Sequence, residues 1–302
     1  MEGKNPKTNL IRALLLVVGA MFGFFLWGIA SGVILGLSKS FLPKGLLDNQ
    51  LFLLLVSEIG AAGIGLLFLT VNGYWQRKPD FRLGFGQGSR LGLPVLIWAV
   101  LLAIIIVIGQ VSEAGAKLAS VGEIICFLLY LLAVGVFEEF IFRGILLESF
   151  LDLFAKNWRG RMGAALFSSL IFGAYHMVNM LAGASFSASL TQSCYASITG
   201  LFLAALYIRT RNIWVCVFYH AFWDGCVAIS LILGSTEFVN KNAVSWQEAC
   251  FSLILVVPAL VTALFLLLRP GVPLPPQEET PAETNEDDYL ITWEEKSGDW
   301  QK

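Results

Sequence analysis

Eight long apolar runs constrain this chain more than any other feature. A helix needs about 20 mostly apolar residues to cross a bilayer, and inside lipid each backbone N–H and C=O must be satisfied within its own segment. The runs are Leu10–Leu37, Leu51–Val71, Leu91–Ile108, Ile124–Leu151, Met162–Leu181, Ala188–Ile208, Ile213–Leu233 and Phe251–Leu268. Polar residues interrupt the fourth and fifth. The expected fold is therefore an all-α integral membrane protein of about eight transmembrane helices. Composition agrees: 57% of the 302 residues are hydrophobic and 14% charged, against about 25% charged in an ordinary soluble domain. That balance disfavours a soluble enzyme, a disordered chain and a basic nucleic-acid binder, so the expected surroundings are a lipid bilayer and no nucleic acid.

The charges are partitioned along the chain. With the N-terminus placed in the cytoplasm, the inner segments hold 12 basic residues: Lys4, Lys7, Arg12, Arg77, Lys78, Arg82, Arg90, Lys156, Arg159, Arg161, Arg209 and Arg211. The outer loops hold four, Lys39, Lys44, Lys117 and Lys241. This asymmetry favours an even number of spans with both termini cytoplasmic. The first run is too long for the apolar core of a cleaved signal peptide and reads as a retained signal-anchor. After Arg269 the composition becomes Pro-rich and acidic, with nine carboxylates from Glu278 to Asp299, the signature of a disordered tail. Five cysteines without CxxC spacing read as buried free thiols. The organisation expected is N-terminal membrane helices over 1–89, a helical core over 90–235, a last membrane helix over 236–268 and a tail over 269–302.

Ionisable groups inside a bilayer are costly and usually functional. The fourth run carries Glu138, Glu139 and Arg143 in VFEEFIFRG. Glu139 and Arg143 are four residues apart, hence on one helix face and able to pair. Glu138 is turned by about 100° from its neighbour, and one arginine neutralises only one of the two carboxylates. A carboxylate left in that position suits a general base. The fifth run holds His176 in FGAYH, with Asn179 three residues on, and the seventh holds His220 and Asp224 in HAFWD. At about 1.5 Å per residue, Glu138, His176 and Asp224 reach similar depths. Both histidines of the chain are thus intramembrane, and one site among the fourth, fifth and seventh helices is expected. The bland alternative is a histidine that only bonds across helices; two histidines, three carboxylates and an arginine at compatible depth outweigh it.

The ordered set Glu138-Glu139-Phe-Ile-Phe-Arg143, Phe172-Gly-Ala-Tyr-His176 and His220-Ala-Phe-Trp-Asp224 resembles the CPBP family of intramembrane proteases. These are the CAAX prenyl endopeptidases and bacteriocin-processing enzymes, also called the Abi domain, and the likeness covers about residues 90–235. The resemblance implies an intramembrane endopeptidase acting on a membrane-embedded or lipid-anchored protein or peptide. In that reading Glu138 activates the attacking water and His176 shares it. His220 and Asp224 steady the oxyanion or the substrate carbonyl, and Arg143 orients Glu139. Phe172 and Asn179 are candidate substrate-binding residues.

Glu138, His176 and His220 are the candidate ligands for a divalent metal such as zinc, which would make the enzyme a metalloprotease. The adjacent glutamates without HExxH are equally compatible with water activated by carboxylate and imidazole, and the reading leans to that metal-free chemistry, with no cofactor certain. Asp224 stands where some members carry Asn. An ionised Asp cannot donate to an oxyanion, so it is protonated, a ligand, or a partner of His220. A prenylated CAAX tail, a peptide pheromone, a bacteriocin leader and a membrane-anchored regulator all fit as substrate.

Three rivals were weighed. A rhomboid-type serine protease would use Ser185 and His220, but it leaves Glu138, Glu139, Arg143 and His176 idle. An ion or proton transporter also uses buried Glu, His and Arg. A non-catalytic scaffold or immunity protein would merely retain the residues. Two further acids receive bland readings: Glu58 snorkels or bonds a neighbour, outside the site, and Glu148 is interfacial. The glycine-rich run LGFGQG at 83–88 follows no strand and is no nucleotide fingerprint.

Overall fold

The computed structural model describes residues 6–75, 83–114, 117–155, 157–234 and 243–269. The acidic tail, most of the basic cluster at 77–82, Lys156 and Lys241 lie outside the described residues. The described residues form twelve α-helices and no strand: α1 (Pro6–Leu37), α2 (Lys44–Leu47), α3 (Gln50–Val71), α4 (Phe85–Leu91), α5 (Leu93–Ala114), α6 (Val121–Glu139), α7 (Glu148–Phe154), α8 (Trp158–Tyr175), α9 (Phe186–Thr210), α10 (Ile213–Val227), α11 (Trp246–Leu255) and α12 (Val257–Leu268). A π-helical segment, Phe140–Leu147, joins α6 to α7, and short 3-10 turns follow α8 (His176–Ala182) and α10 (Ile229–Leu233).

Small polar residues set where the apolar runs begin. Asn49 accepts from the Phe52 N–H at the start of α3, Asn157 from Gly160 at α8, and Asn212 from Trp214 at α10. Ser120 with Glu123, and Ser245 with Glu248, form reciprocal capping boxes at α6 and α11. Each satisfies N–H groups that the first turn of a helix leaves unpaired. Ser185 is used in this way too: its hydroxyl accepts from the Ala188 N–H and opens α9.

Among the described residues, six helices are long and apolar enough to cross a membrane: Thr8–Leu37, Gln50–Val71, Leu93–Ser112, Val121–Phe154, Trp158–Ala182 and Phe186–Thr210. The protein is an all-α integral membrane protein, but the eight-span expectation is modified at two places. α11 and α12, which would together make one span, meet at a 42° bend, where Pro258 starts a new helix because it has no N–H to continue the old one. α10 has 15 residues, about 22 Å at the α-helical rise, short of the hydrocarbon thickness.

Large apolar side chains such as Phe22 and Ile29 on α1, Ile105 and Ile108 on α5, and Leu128 on α6 are exposed, as lipid-facing surface must be. Inside, residues 1–270 cluster as one compact unit. α6 packs on α3 and α10, α9 on α8 and α12, and α10 on α5, while α1 covers the π-helical segment. That segment is the centre of the bundle, every one of its eight residues being buried. A wide turn loosens the backbone ladder, and neighbouring hydroxyls supply replacement donors. Ser168 of α8 donates to the Phe142 carbonyl at 3.2 Å, and Ser149 donates to Ile145 at 2.8 Å. Between α8 and α9 a side chain at Gly173 would collide with Ser193 and Ser197. The glycine instead lets Ser193 Oγ donate to its carbonyl at 2.6 Å.

Glu148, expected at the interface, has a defined set of protein partners. It is buried just past the π segment, accepts from the Tyr207 hydroxyl, and pairs with Arg211 at 2.7 Å. The Tyr74 and Tyr207 hydroxyls lie 3.1 Å apart, and because Tyr207 spends its proton on Glu148, Tyr74 is the donor. Burial pushes the Tyr74 hydroxyl up to about 12, so it keeps that proton at neutral pH. The sequence hid this partner set because Tyr207 lies in the last turn of α9 and Arg211 caps its end, some sixty residues away in the chain.

Candidate active site

The last turn of α6 and the following π segment present Glu138, Glu139 and Arg143, all buried. The expected i,i+4 pair is formed, with Arg143 Nη1 donating to Glu139 Oε1 at 2.8 Å. The second guanidinium nitrogen donates to the Gly200 carbonyl of α9 at 3.1 Å, and the guanidinium carbon stands 4.5 Å above the Phe172 ring centroid. Arg143 therefore joins three helices around one carboxylate. A buried ion pair is tolerable only with such additional bonds, since two desolvated charges rarely repay their hydration by attraction alone.

α10 contributes His220 and Asp224. His220 Nδ1 lies 2.7 Å from Glu139 Oε1, so one carboxylate oxygen serves both the arginine and the histidine. The other ring nitrogen, Nε2, is 3.4 Å from Glu138 Oε2 and 3.4 Å from Asp224 Oδ2. Asp224 thus lies beside His220. Glu138 Oε2, Glu139 Oε2 and Arg143 Nε are buried atoms with no hydrogen-bond partner among the described residues.

His176 begins the 3-10 turn after α8. Its Nδ1 is 3.0 Å from the Phe172 carbonyl oxygen. A carbonyl only accepts, so Nδ1 carries the proton, and in the neutral ring Nε2 is left as an acceptor. Phe172 is the common wall, with ring centroids 4.9 Å from His176 and 5.9 Å from His220. Asn179 is tied to Gln192 of α9 at 2.8 Å.

These side chains open onto one cavity of about 1010 Å³. Glu138, Phe172, His176, Asn179, His220 and Asp224 all line it; Glu139 and Arg143 sit behind them. At one end of the bundle its lining includes Ala182, Ala184, Val244 and Glu248. Glu58, which the sequence reading set aside, lines the same cavity from α3. Tyr130 and Tyr175 are further wall residues that sequence reasoning passed over. A lone glutamate in an apolar helix gives no spacing signal, and only the packing of α3 on α6 reveals where it points.

Among the described residues no three His, Cys, Asp or Glu side chains are arranged to hold a metal ion. His176 Nδ1 is directed to a backbone carbonyl and His220 Nδ1 to Glu139. With each Nδ1 so engaged, the two Nε2 atoms and Glu138 are the groups that would hold a divalent metal and let it polarise a water, although they are not gathered into a ligand set in this arrangement.

Comparison with curated proteins and with solved structures gave no match. Residues 120–226 match the family model described as "Type II CAAX prenyl endopeptidase Rce1-like". The matched segment begins at the cap of α6 and ends two residues beyond Asp224, so it encloses the three motifs that meet at the cavity. Over those residues the chain is similar to the type II CAAX prenyl endopeptidases, which supports the CPBP/CAAX family of membrane proteases.

Proposed function

We propose that the protein is an intramembrane endopeptidase that hydrolyses a peptide bond of a membrane-associated substrate with a water activated by Glu138 and His176. The observation that carries this reading is that Glu138, beside His220, and His176, whose Nε2 is left as an acceptor, line one cavity. Glu138 takes a proton from the water as it attacks the carbonyl carbon. His176 accepts the water's second hydrogen bond and aims its lone pair. His220 receives its orientation from Glu139 and, when protonated, offers Nε2–H to the developing oxyanion. Asp224, one helical turn on, favours that imidazolium. The proton held by Glu138 then passes to the leaving amine, which restores the carboxylate. Arg143 and Glu139 act through His220, as positioning residues.

A CAAX-type prenylated tail is the substrate class that the family name suggests, with its lipid against apolar wall residues such as Phe24, Leu54 and Phe251. Both termini are read as cytoplasmic from the charge count. On that reading the 182–184 and 244–248 end of the cavity faces away from the cytoplasm, and a membrane-anchored substrate exposed on that side fits equally well.

The test uses the full chain purified in detergent and a peptide library. Cleavage should fall by about 10³-fold in Glu138→Gln and persist in Ser185→Ala. Undiminished cleavage by Glu138→Gln defeats the assignment. Loss on chelation with recovery on zinc moves the water onto a metal. Proton-coupled flux in proteoliposomes that depends on Glu138, with no cleavage of any peptide, favours transport instead.

A further inference from the structure

We infer that Glu58 is a specificity-determining residue, binding a lysine or arginine side chain of the substrate within about three residues of the cleaved bond; this rests on the endopeptidase reading. Four carboxylates from four helices line the cavity: Glu58 of α3, Glu138 of α6, Asp224 of α10 and Glu248 of α11. Among the described residues no lysine or arginine lines it. His220 is the group placed to balance charge, and it is already shared by Glu138, Glu139 and Asp224. Glu58 has no ion-pair partner among the described residues.

Two independent features indicate that a cation is what the cavity takes. Of the four carboxylates, Glu58 is the one with neither a hydrogen bond nor an ion pair among the described residues, whereas Glu138 and Asp224 face His220 and Glu248 accepts from the Ser245 N–H. The wall is also aromatic, since Tyr130 and Tyr175 line the cavity together with Glu58. Carboxylates set among aromatic faces are the usual setting for an ammonium or guanidinium group. Desolvated carboxylates are costly alone, and a cation arriving with the substrate relieves that cost, which turns it into selectivity.

The position follows from the helix rise. Asn49 at the start of α3 donates to Glu123 at the start of α6, at 3.3 Å, so the two helices begin at the same end of the bundle. Glu58 lies about 12 Å from that end and Glu138 about 25 Å, at 1.5 Å per residue. Glu58 is therefore roughly 13 Å nearer the end at which α3 and α6 begin. An extended peptide covers that distance in about four residues, fewer by the reach of the basic side chain itself. Glu58 lies outside residues 120–226, so the family match assigns it nothing.

The experiment compares purified full-length wild type, Glu58→Gln and Glu58→Lys on peptides that differ only in Lys, Leu or Glu at each position near the cleaved bond. Wild type should prefer the Lys peptide over the Glu peptide by roughly tenfold or more in kcat/KM, the scale of one charged hydrogen bond. Glu58→Gln should reduce that preference to about twofold while retaining cleavage of the Leu peptide, and Glu58→Lys should invert it. An unchanged preference in Glu58→Gln overturns the inference, as does an equal loss on all three peptides. Should no peptide be cleaved, the endopeptidase reading fails separately. Binding of the Lys peptide, measured by intrinsic tryptophan fluorescence, then decides the subsite: weaker binding to Glu58→Gln supports it and equal binding rejects it.

Discussion

Arg143 has only 1% of its surface exposed and holds Glu139, the Gly200 carbonyl and the Phe172 ring at once. Removing it leaves the buried Glu139 carboxylate with His220 alone, and losing one partner of a buried pair costs up to about 3–5 kcal/mol. Arg143→Met is expected to lower the thermal unfolding midpoint in detergent markedly. Arg143→Met combined with Glu139→Gln should recover much of that stability, because no uncompensated charge remains, yet cleavage should stay depressed with His220 no longer oriented. Equal midpoints for the single and double variants would show that the pair is not what Arg143 stabilises. At this scale the sequence was informative wherever partners share a helix. Glu139 with Arg143 and His220 with Asp224 follow from a spacing of four. It was silent on Glu139 with His220, on Glu148 with Arg211 and on Glu58, because those relations are made by packing between distant segments.

Helices were the most legible level, since twenty apolar residues in a row and a polar cap before them leave the backbone little choice. What the runs could not reveal is how closely two of them approach. Gly200 shows the difference. A Cβ there would lie 2.8 Å from Phe172 Cδ1 and 3.4 Å from Arg143 Nη2. Gly200→Ala should displace the Phe172 ring and loosen the guanidinium, at about 1–3 kcal/mol, the usual cost of overpacking, with a matching loss of cleavage. Gly63 of α3 has open space where its Cβ would be, so Gly63→Ala serves as the control and should leave both unfolding and cleavage unchanged. Length was the second limit. A run that reads as one span can be two helices at an angle, as α11 and α12 are, because the proline breaks the ladder without making the sequence less apolar.

For the whole molecule the open matter is which way the cavity faces, and the basic residues give a testable reading. With the five cysteines replaced, Trp246→Cys at the start of α11 and Trp158→Cys at the start of α8 place single thiols at exposed positions at the two ends. In intact cells a membrane-impermeant maleimide should label Trp246→Cys, and should label Trp158→Cys only after the membrane is opened. The reverse pattern would turn the cavity toward the cytoplasm and bring cytosolic tails within its reach.

The wide turn at Phe140–Leu147 carries a consequence for how relatives of this chain are compared. A π-helical turn contains about one residue more than the α turn it replaces. Upstream of it the motif letters alone decide which residues share a face. Downstream, a chain lacking that extra residue would still match letter for letter through Glu139, while its counterpart of Glu148 pointed about a quarter-turn elsewhere. Alignments across this helix therefore need separate anchors on either side of the turn. An apparent one-residue gap there is a change of side-chain direction, and the ion pair between Glu148 and Arg211 is the marker that shows whether the register has been kept.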